Sequence, residues 1–317
     1  MPAQTHRRPR GCALVPAATE AFPGQARPAS DGPLPEAGMR LAGRYLLTDR
    51  VGGPDWSSVW KGTDELLSRP VAVRVFRPGP VPDAVDAAVR AASRLTDPRL
   101  VQIFDYDSRA EYPYVVSEWA PGERLDDLLL SELPGPALAA TITAEAAAAL
   151  AAAHAAGQAH QYLTPGQIRW GSGGVKITGL GIEAALRGEE PGMALPGAVP
   201  GTTAAEAAAA DTRALAGVLY ALLTGYWPGG EAASLPSAPR RRGLLYPPGQ
   251  ARAGVPGILN AISCRALLPW SGHGEPIRTP AQLALALRRV LPGSRRRHAR
   301  PLPAADPRQL PSYAPAA

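Results

Sequence analysis

The residues best suited to chemistry lie in one short segment, residues 160–167, which reads His-Gln-Tyr-Leu-Thr-Pro-Gly-Gln. The segment offers an imidazole at His160, a phenol at Tyr162, a hydroxyl at Thr164 and an amide at Gln167, but no carboxylate. A phenol with a pKa of about 10 is protonated at neutral pH, so Tyr162 donates a proton where a general base must accept one. Magnesium at nucleotide sites is usually held by carboxylates. The segment therefore supplies neither a carboxylate base nor a magnesium ligand of the usual kind.

The composition allows a globular domain with a sizeable core. The chain has 317 residues, of which 45% are hydrophobic and 19% charged, and its 36 prolines and 33 glycines favour the ends and the loops. This length fits one two-lobed domain with disordered ends, or two small domains. The two cysteines, Cys12 and Cys264, lie in a predicted tail and in an apolar helical pattern. We therefore expect neither a disulfide nor a metal site, and a reducing, cytoplasmic location.

The net charge of +6 comes largely from short arginine clusters. These clusters are residues 240–242 and 295–297, together with Arg288, Arg289 and Arg300. Such clusters are either solvated on loops and tails or bind an anionic membrane surface or an acidic partner. No aromatic residues alternate with them, so we do not expect nucleic-acid binding. There is no uninterrupted run of about 18 apolar residues, so we expect no transmembrane segment.

The pattern along the chain predicts a strand-rich unit followed by a helical one. Residues 1–40 read as a disordered leader rich in Pro, Ala and Arg, and residues 292–317 as a disordered basic, Pro-rich tail. Short β-branched and aromatic runs broken by Gly and Pro are typical of an antiparallel sheet. These runs are residues 44–47, 58–62, 70–75, 101–104 and 114–117, with one helical pattern at 81–95.

The second half of the ordered chain is mainly helical. Helices are predicted at residues 128–130, 137–156, 212–223, 255–267 and 281–290, and a hairpin at 168–177. The longest is rich in alanine and ends at Gly157, which is typical of a helix stop. We predict an α+β domain over residues 41–291, with an N-terminal lobe at about 43–119 and a C-terminal lobe at about 123–291.

The order of these motifs resembles that of bacterial serine/threonine protein kinases. Residues 160–167 resemble the catalytic loop His-Arg-Asp-Leu-Lys-Pro-x-Asn, and Gly179-Leu180-Gly181 resembles Asp-Phe-Gly. Further similar segments are the entry to the glycine-rich loop at 44–52, the lysine-bearing strand at 71–75, the loop at 97–101, the hinge at 116–119 and the central helix at 211–225. The resemblance implies a two-lobed protein-kinase-like fold, with a small antiparallel-sheet N-lobe and a mainly helical C-lobe.

The nucleotide cleft that this resemblance implies is degenerate. Its positions are Gly52, Pro54 and Ser57 in the glycine-rich loop, Arg74 in place of the lysine, Ser117 at the gatekeeper position and Glu118 in the hinge. Pro54 lacks the N–H that would approach a phosphate, and the planar guanidinium of Arg74 does not replace an ammonium conservatively. The helix glutamate that orients the lysine falls near Ala88, so we expect the usual ion pair to be lost.

The catalytic positions are also changed. By the resemblance, Tyr162 stands where the proton-accepting aspartate lies, Thr164 where a lysine lies, and Gly179 where the metal-binding aspartate lies. Gln167 replaces the metal-binding asparagine and still offers an amide oxygen, one methylene further out. We therefore expect no catalytic residues, no metal and no cofactor, with ATP binding possible only without magnesium.

Other positions have implied structural or regulatory roles. In the family the equivalent of Asp211 braces the catalytic loop, and His160 is expected to be a packed scaffold residue. Glu206 resembles the acid that pairs with an arginine at the position of Arg278. Thr202 and Thr203 are candidate phosphorylation sites by position, in a segment that is shorter than in active kinases.

A narrower resemblance is to actinobacterial kinase-like proteins fused to, or encoded beside, the lipid II flippase MurJ. It is carried by residues 97–99, 115–119, 179–180, 211–212, 252–255 and 279–283. It implies a phosphorylated pseudokinase that recruits forkhead-associated partners and regulates peptidoglycan synthesis. Separately, the arginines of the basic tail make contact with an anionic membrane surface a possible function. The leading hypothesis is thus a non-catalytic regulatory scaffold or switch. The alternative is a serine/threonine kinase with weak or unconventional activity, or one that binds ATP without turnover.

Overall fold

A computed structural model of the chain describes residues 32–54, 56–186, 203–229, 234–268 and 272–291. The N-lobe is a six-stranded antiparallel sheet with strand order β1-β2-β3-β4-β6-β5. Its strands are β1 (Arg40–Leu41), β2 (Tyr45–Gly52), β3 (Ser57–Asp64), β4 (Arg69–Phe76), β5 (Ile103–Asp107) and β6 (Tyr114–Glu118). Helix α1 (Asp83–Ala92) lies between β4 and β5 in the chain.

Strand β4 shows how the sequence orients the sheet. Val71, Val73 and Val75 are buried in the N-lobe core, and Ala72 and Arg74 alternate with them. Because successive side chains of a strand point to opposite faces, burying the valines turns Arg74 to the other face of the sheet. That face lines the cleft between the lobes.

The N-lobe begins earlier than predicted. The N–H of Gly38 donates to the carbonyl of Leu47 at 2.9 Å, Met39 packs against the sheet core, and Tyr112 Oη donates to the carbonyl of Pro33 at 3.0 Å. The predicted leader over residues 1–40 is therefore too long, because its last residues bond to the lobe. Residues 1–31 and the predicted tail at 292–317 lie outside the described residues.

The C-lobe is mainly helical. Its helices are α2 (Leu125–Ser131), α3 (Pro136–Ala155), α4 (Ile182–Leu186), α5 (Ala204–Thr224), α6 (Pro248–Ala251), α7 (Gly257–Leu267) and α8 (Pro280–Val290). Its strands are β7 (Glu123–Arg124), β8 (Ile168–Gly171) and β9 (Gly174–Ile177), which form one antiparallel sheet, and the hairpin of β10 (Arg240–Arg241) and β11 (Leu244–Leu245). The predicted α+β, two-lobed architecture is confirmed.

Helices α3 and α5 form the centre of the C-lobe. Helix α3 is long and apolar enough to cross a membrane by length and composition, and 56% of its most apolar stretch is buried inside the domain. A helix that is apolar on all sides is typical of a core helix, and the small alanine side chains let neighbouring helices approach closely. Helix α5 begins at Ala204 rather than at residue 212 because Thr203 and Glu206 form a capping box ahead of it.

Candidate functional site at the interlobe cleft

A cleft of about 380 Å³ separates the two lobes. Val59 and Ala72 line it from the N-lobe and Ile177 lines it from the C-lobe. The cleft brings together most of the predicted positions: Gly52, Pro54, Arg74, Ser117, Glu118, Tyr162, Thr164, Gln167 and Gly179. Ser57 contacts this set through Arg74, whose Nη1 donates to Ser57 Oγ at 3.0 Å.

Arg74 forms an ion pair that the sequence did not suggest. Its Nη2 donates to Glu183 Oε1, and the two side chains are only 15% and 16% exposed. The partners are 109 residues apart in the chain, so no local pattern links them. One signal was available: Glu183 is the only acidic residue between positions 146 and 186. Glu183 was therefore the main candidate from this part of the sequence to pair with an arginine in the cleft.

Glu183 also occupies the space that a side chain at Gly179 would need. Gly179 has a positive φ of 74°, and a Cβ placed there would lie 2.5 Å from Glu183 Cγ, far inside contact distance. The space that a side chain at position 179 would need is therefore filled by the side chain of Glu183 from α4. Among the described residues there is no group of three or more His, Cys, Asp or Glu side chains that could hold a metal ion.

Packing of α4 against α1 places Glu183. Val85 and Val89 of α1 and Ile182 and Leu186 of α4 are buried together in one apolar cluster. Ala88, at the position of the helix glutamate, is part of the same contact and leaves Arg74 without an acid on α1. The nearest acid on α1, Asp86, pairs instead with Arg90 at 2.7 Å.

The glycine-rich loop is a tight turn that lacks one backbone donor, at Pro54. Gly53 has a φ of 83°, and a Cβ there would lie 2.3 Å from the carbonyl oxygen of Ser57, so only glycine fits. The N–H of Ser57 donates to the carbonyl of Pro54 at 3.0 Å, and Trp56 packs against the α1–α4 cluster. Because Pro54 has no N–H, the turn offers less to a phosphate than the usual glycine-rich loop. Asp55 lies outside the described residues.

The amide oxygen of Gln167 is already occupied. It accepts hydrogen bonds from the N–H of Thr164 at 2.9 Å and from the Thr164 hydroxyl, across a short 3-10 turn at Pro165–Gln167. For Gln167 to offer this oxygen to a metal, it would first have to release Thr164. Tyr162 lines the cleft and is 8% exposed, and its phenol puts no carboxylate at the base position.

Asp211 holds the start of the catalytic-loop segment. Its buried carboxylate accepts from the N–H of His160 at 2.8 Å, from the N–H of Gln161 at 2.7 Å and from His154 Nε2 at 2.7 Å. His160 Nε2 donates to the carbonyl of Thr178 at 3.0 Å, and burial lowers the pKa of His160. A neutral, buried His160 thus ties the loop to the residue preceding Gly179, which is a structural contact.

The hinge side of the cleft carries fixed cations. Glu118 pairs with Lys176 Nζ at 2.6 Å. Lys61 and Arg169 both lie over the ring of Trp119, at 5.6 and 5.5 Å from its centroid. Burial, and then the neighbouring positive charge of Arg124, lowers the pKa of Arg169. The carboxylate of Glu118 is therefore engaged, as those of Glu183 and Asp211 are.

Two expectations on the substrate side have different outcomes. The ion pair between Arg278 and Glu206 is absent from the described part of the chain: Glu206 closes the capping box with Thr203, and Arg278 is exposed with its N–H bonded to the Gln282 side chain. That prediction is wrong because Glu206 bonds to Thr203 at the start of α5 instead of reaching Arg278. Thr203 is the N-cap residue of α5, whereas Thr202 lies outside the described residues.

No family model matches this chain. It is 32% identical over 206 residues to a probable serine/threonine-protein kinase of Corynebacterium efficiens, an alignment that covers 58% of this chain and 31% of the relative. It is 31% identical over 217 residues to the serine/threonine-protein kinase PknL of Mycobacterium tuberculosis, covering 61% of this chain and 54% of PknL. The chain thus spans between about a third and about a half of the length of these curated relatives.

Solved structures are similar over most of the chain. The kinase domain of Mycobacterium tuberculosis PknI matches 80% of this chain and 98% of its own length, with a TM-score of 0.60 and 17% identity. The apo form of PpkA-294 matches with the same coverage, a TM-score of 0.61 and 16% identity. At such low identity these matches establish the fold alone, and that fold is protein-kinase-like.

Proposed function

We propose that this protein-kinase-like chain, similar in sequence to bacterial serine/threonine protein kinases, is a non-catalytic pseudokinase that acts as a regulatory scaffold or switch. The observation that carries the proposal is the pairing of Arg74 with Glu183 in the space beside Gly179. It neutralises the cation that would bind phosphates, and the side chain that fills the space at position 179 is already paired. A cytoplasmic location is part of the proposal.

The chemistry of phosphoryl transfer explains why this arrangement opposes catalysis. Transfer needs positioned phosphates, bound magnesium and an acceptor for the hydroxyl proton. Tyr162 and Gly179 supply no carboxylate, and Glu183 would have to leave Arg74 to bind a metal ion. Separating a mostly buried ion pair leaves an uncompensated charge, which is strongly unfavourable. The resting cleft therefore favours its own ion pair over a magnesium–nucleotide complex.

A thermal-shift titration and a phosphate-transfer assay test this proposal. We expect magnesium–ATP to give no stabilisation beyond ATP alone, and no phosphate incorporation into the chain or a model protein substrate. Ligand at a hundredfold over its Kd would add about 2.7 kcal/mol of stability, so binding would be seen easily. Magnesium-dependent phosphate incorporation that is abolished by Arg74→Ala, but kept by Arg278→Ala, would overturn the proposal.

A second candidate function is nucleotide binding without turnover. The observation in its favour is that the inner cleft remains open and keeps apolar walls at Val59, Ala72 and Ile177, where a planar base could lie. If this function holds, ATP will stabilise the chain equally with and without magnesium. Ala72→Phe, which fills the cleft, should remove the effect, whereas Ala87→Phe, on the exposed side of α1 and outside the cleft lining, should not.

A role in cell-wall control is the finer part of the proposal and is supported only by the resemblance to flippase-associated kinase-like proteins. In this role, phosphorylated Thr202 or Thr203 would bind a forkhead-associated domain. Thr203 is accessible for this purpose, since it is at the exposed N-cap of α5. Incubation with a purified bacterial serine/threonine kinase, followed by mass spectrometry and a binding assay with a forkhead-associated domain, tests it. No phosphate at either threonine would contradict this role and leave the pseudokinase proposal standing.

A further inference from the structure

Residues 240–245 form an exposed hairpin, here called the basic hairpin. Strand β10 supplies two arginines and β11 two leucines, and the pairing is Arg240 with Leu245 and Arg241 with Leu244. The turn residues Arg242 and Gly243 both have positive φ, at 50° and 80°. Two such residues are typical of the tight type I′ turn, whose twist matches that of the strands. The arginine cluster is therefore held in a defined shape.

The two faces of the basic hairpin differ in their surroundings. Directly opposed residues of an antiparallel pair project to the same face. On one face, Arg240 Nη2 donates to the carbonyl of Pro228 at 2.7 Å, and Leu245 is half-buried. On the other face Arg241 is exposed beside Leu244, which is 76% exposed. Arg242 is exposed at the tip, and in the described ranges neither it nor Arg241 forms an ion pair.

The surrounding sequence adds positive charge and almost no negative charge. Between positions 212 and 274 the only acidic residue is Glu231. The arginines in the same stretch are Arg213, Arg240, Arg241, Arg242, Arg252 and Arg265. A protruding hairpin in such a stretch has a positive potential that attracts anions from a distance.

We propose that the basic hairpin binds the surface of an anionic lipid bilayer. Guanidinium groups of Arg241 and Arg242 suit lipid phosphates because they donate paired hydrogen bonds in a planar fork. Leu244, on the same face, would enter the boundary between headgroups and acyl chains, where exposed apolar side chains add to electrostatic binding. Peptide partners are usually bound in grooves or along sheet edges, whereas here the exposed arginines and Leu244 project from one face and the turn of a hairpin, where a planar membrane can contact them together. The inference does not depend on whether the cleft binds nucleotide.

Co-sedimentation of the full chain with vesicles tests the proposal. We expect binding to phosphatidylcholine vesicles that contain about 30% phosphatidylglycerol, and none to phosphatidylcholine alone. Arg241→Glu/Arg242→Glu should weaken binding by about thirtyfold or more, since each arginine near an anionic surface contributes roughly a fivefold factor. Leu244→Ser should weaken it severalfold and leave the salt dependence unchanged.

Two matched controls separate the hairpin from charge in general. Arg288→Glu/Arg289→Glu makes the same change in net charge on the exposed end of α8, and Leu66→Ser removes a leucine that is 73% exposed on the N-lobe. Both should keep vesicle binding, and circular dichroism should show all variants folded. The proposal is overturned if the α8 variant loses as much binding as the hairpin variant. It is also overturned if the chain binds polyglutamate but not anionic vesicles, which would identify an acidic polypeptide partner instead.

Discussion

At the scale of single residues, Glu183 determines the chemistry of the cleft. It pairs with Arg74, and it lies where a side chain at Gly179 would be. One substitution at the catalytic positions therefore cannot restore a kinase-like site, because the space and the cation are both taken. The effects of substitutions at positions 179 and 183 on the free energy of unfolding should therefore depend on each other, and this coupling can be measured.

Gly179→Asp alone should lower the free energy of unfolding by about 2–4 kcal/mol, through overpacking against Glu183 and strain at positive φ. Gly179→Asp/Glu183→Ala should be more stable than the sum of the two single changes, by about 1–3 kcal/mol, because the new aspartate fills the space and faces Arg74. Urea unfolding of the four proteins gives this coupling energy. Gly173→Asp is the control, since a Cβ there meets nothing within 4 Å. Strictly additive effects would mean that Glu183 does not occupy this space.

His160 should make the domain less stable in mild acid. Burial lowers its pKa below the ordinary 6.5, so the folded chain resists the proton that the unfolded chain accepts. The unfolded state therefore binds more protons below about pH 6.5, and stability falls by up to about 1.4 kcal/mol per pH unit until the pKa of the folded state is reached. His160→Gln, which keeps a donor for the Thr178 carbonyl, should be less stable at pH 7.5 but should lose this slope. Urea unfolding between pH 7.5 and 5 checks it, and parallel curves for the two proteins would contradict it.

At the scale of elements, α4 depends on α1. A five-residue helix has no stability of its own in water, so Ile182–Leu186 is helical because Ile182 and Leu186 are buried against Val85 and Val89. That contact also orients Glu183 toward Arg74. The two lobes are thus joined by an apolar contact and an ion pair that share one short helix.

Ile182→Ala should lower the free energy of unfolding by about 2–4 kcal/mol, because it leaves a cavity between α1 and α4. Amide exchange should speed up in α4 before the rest of the domain, as a short helix opens locally when its packing is weakened. Hydrogen exchange with mass spectrometry measures both effects. Ile258→Ala, at a position that is 55% exposed, should change stability by less than about 0.5 kcal/mol. Unchanged exchange in α4 would show that α1 does not hold it.

Long periodic elements could be predicted from the sequence, whereas the contacts that shape the site could not. Alternating valines place β4, and alanine spacing with a glycine stop places α3, because these patterns are local. Helix α4 and the basic hairpin were missed, since five residues carry too little periodicity and an arginine cluster reads as a solvated loop. The absence of a carboxylate at Tyr162 and at Gly179 follows from the residue types alone. The partner of Arg74 does not, because it depends on how two lobes meet.

At the scale of the whole molecule, the lobes are tied at several places around the cleft. The N–H of Val101 donates to the carbonyl of Ile177 at 3.0 Å, and the N–H of Ile177 donates to the carbonyl of Arg99 at 2.8 Å. These bonds link the segment before β5 in the N-lobe to β9 in the C-lobe, and the ion pair of Arg74 with Glu183 adds a further link. We therefore expect the domain to unfold as one cooperative unit, so that a substitution that destabilises the N-lobe also promotes unfolding of the C-lobe.

Cys264 can report this cooperativity. It is 1% exposed in α7, far along the chain from the N-lobe, and burial raises the pKa of its thiol to about 11. The test uses a Cys12→Ser chain, in which Cys264 is the one remaining thiol. The reference is an exposed thiol made by Leu66→Cys in a Cys12→Ser/Cys264→Ser chain. At pH 8, alkylation of Cys264 should be at least about a thousandfold slower than that of the reference thiol, because Cys264 reacts only after unfolding. Leu47→Ala, a cavity in the N-lobe core, should speed alkylation of Cys264 by about thirtyfold or more if the lobes unfold together. Mass spectrometry of the alkylated chain measures these rates, with Leu66→Ala as the control. A destabilised N-lobe that leaves the Cys264 rate unchanged would show that the lobes unfold separately and that the contacts around the cleft do not couple them.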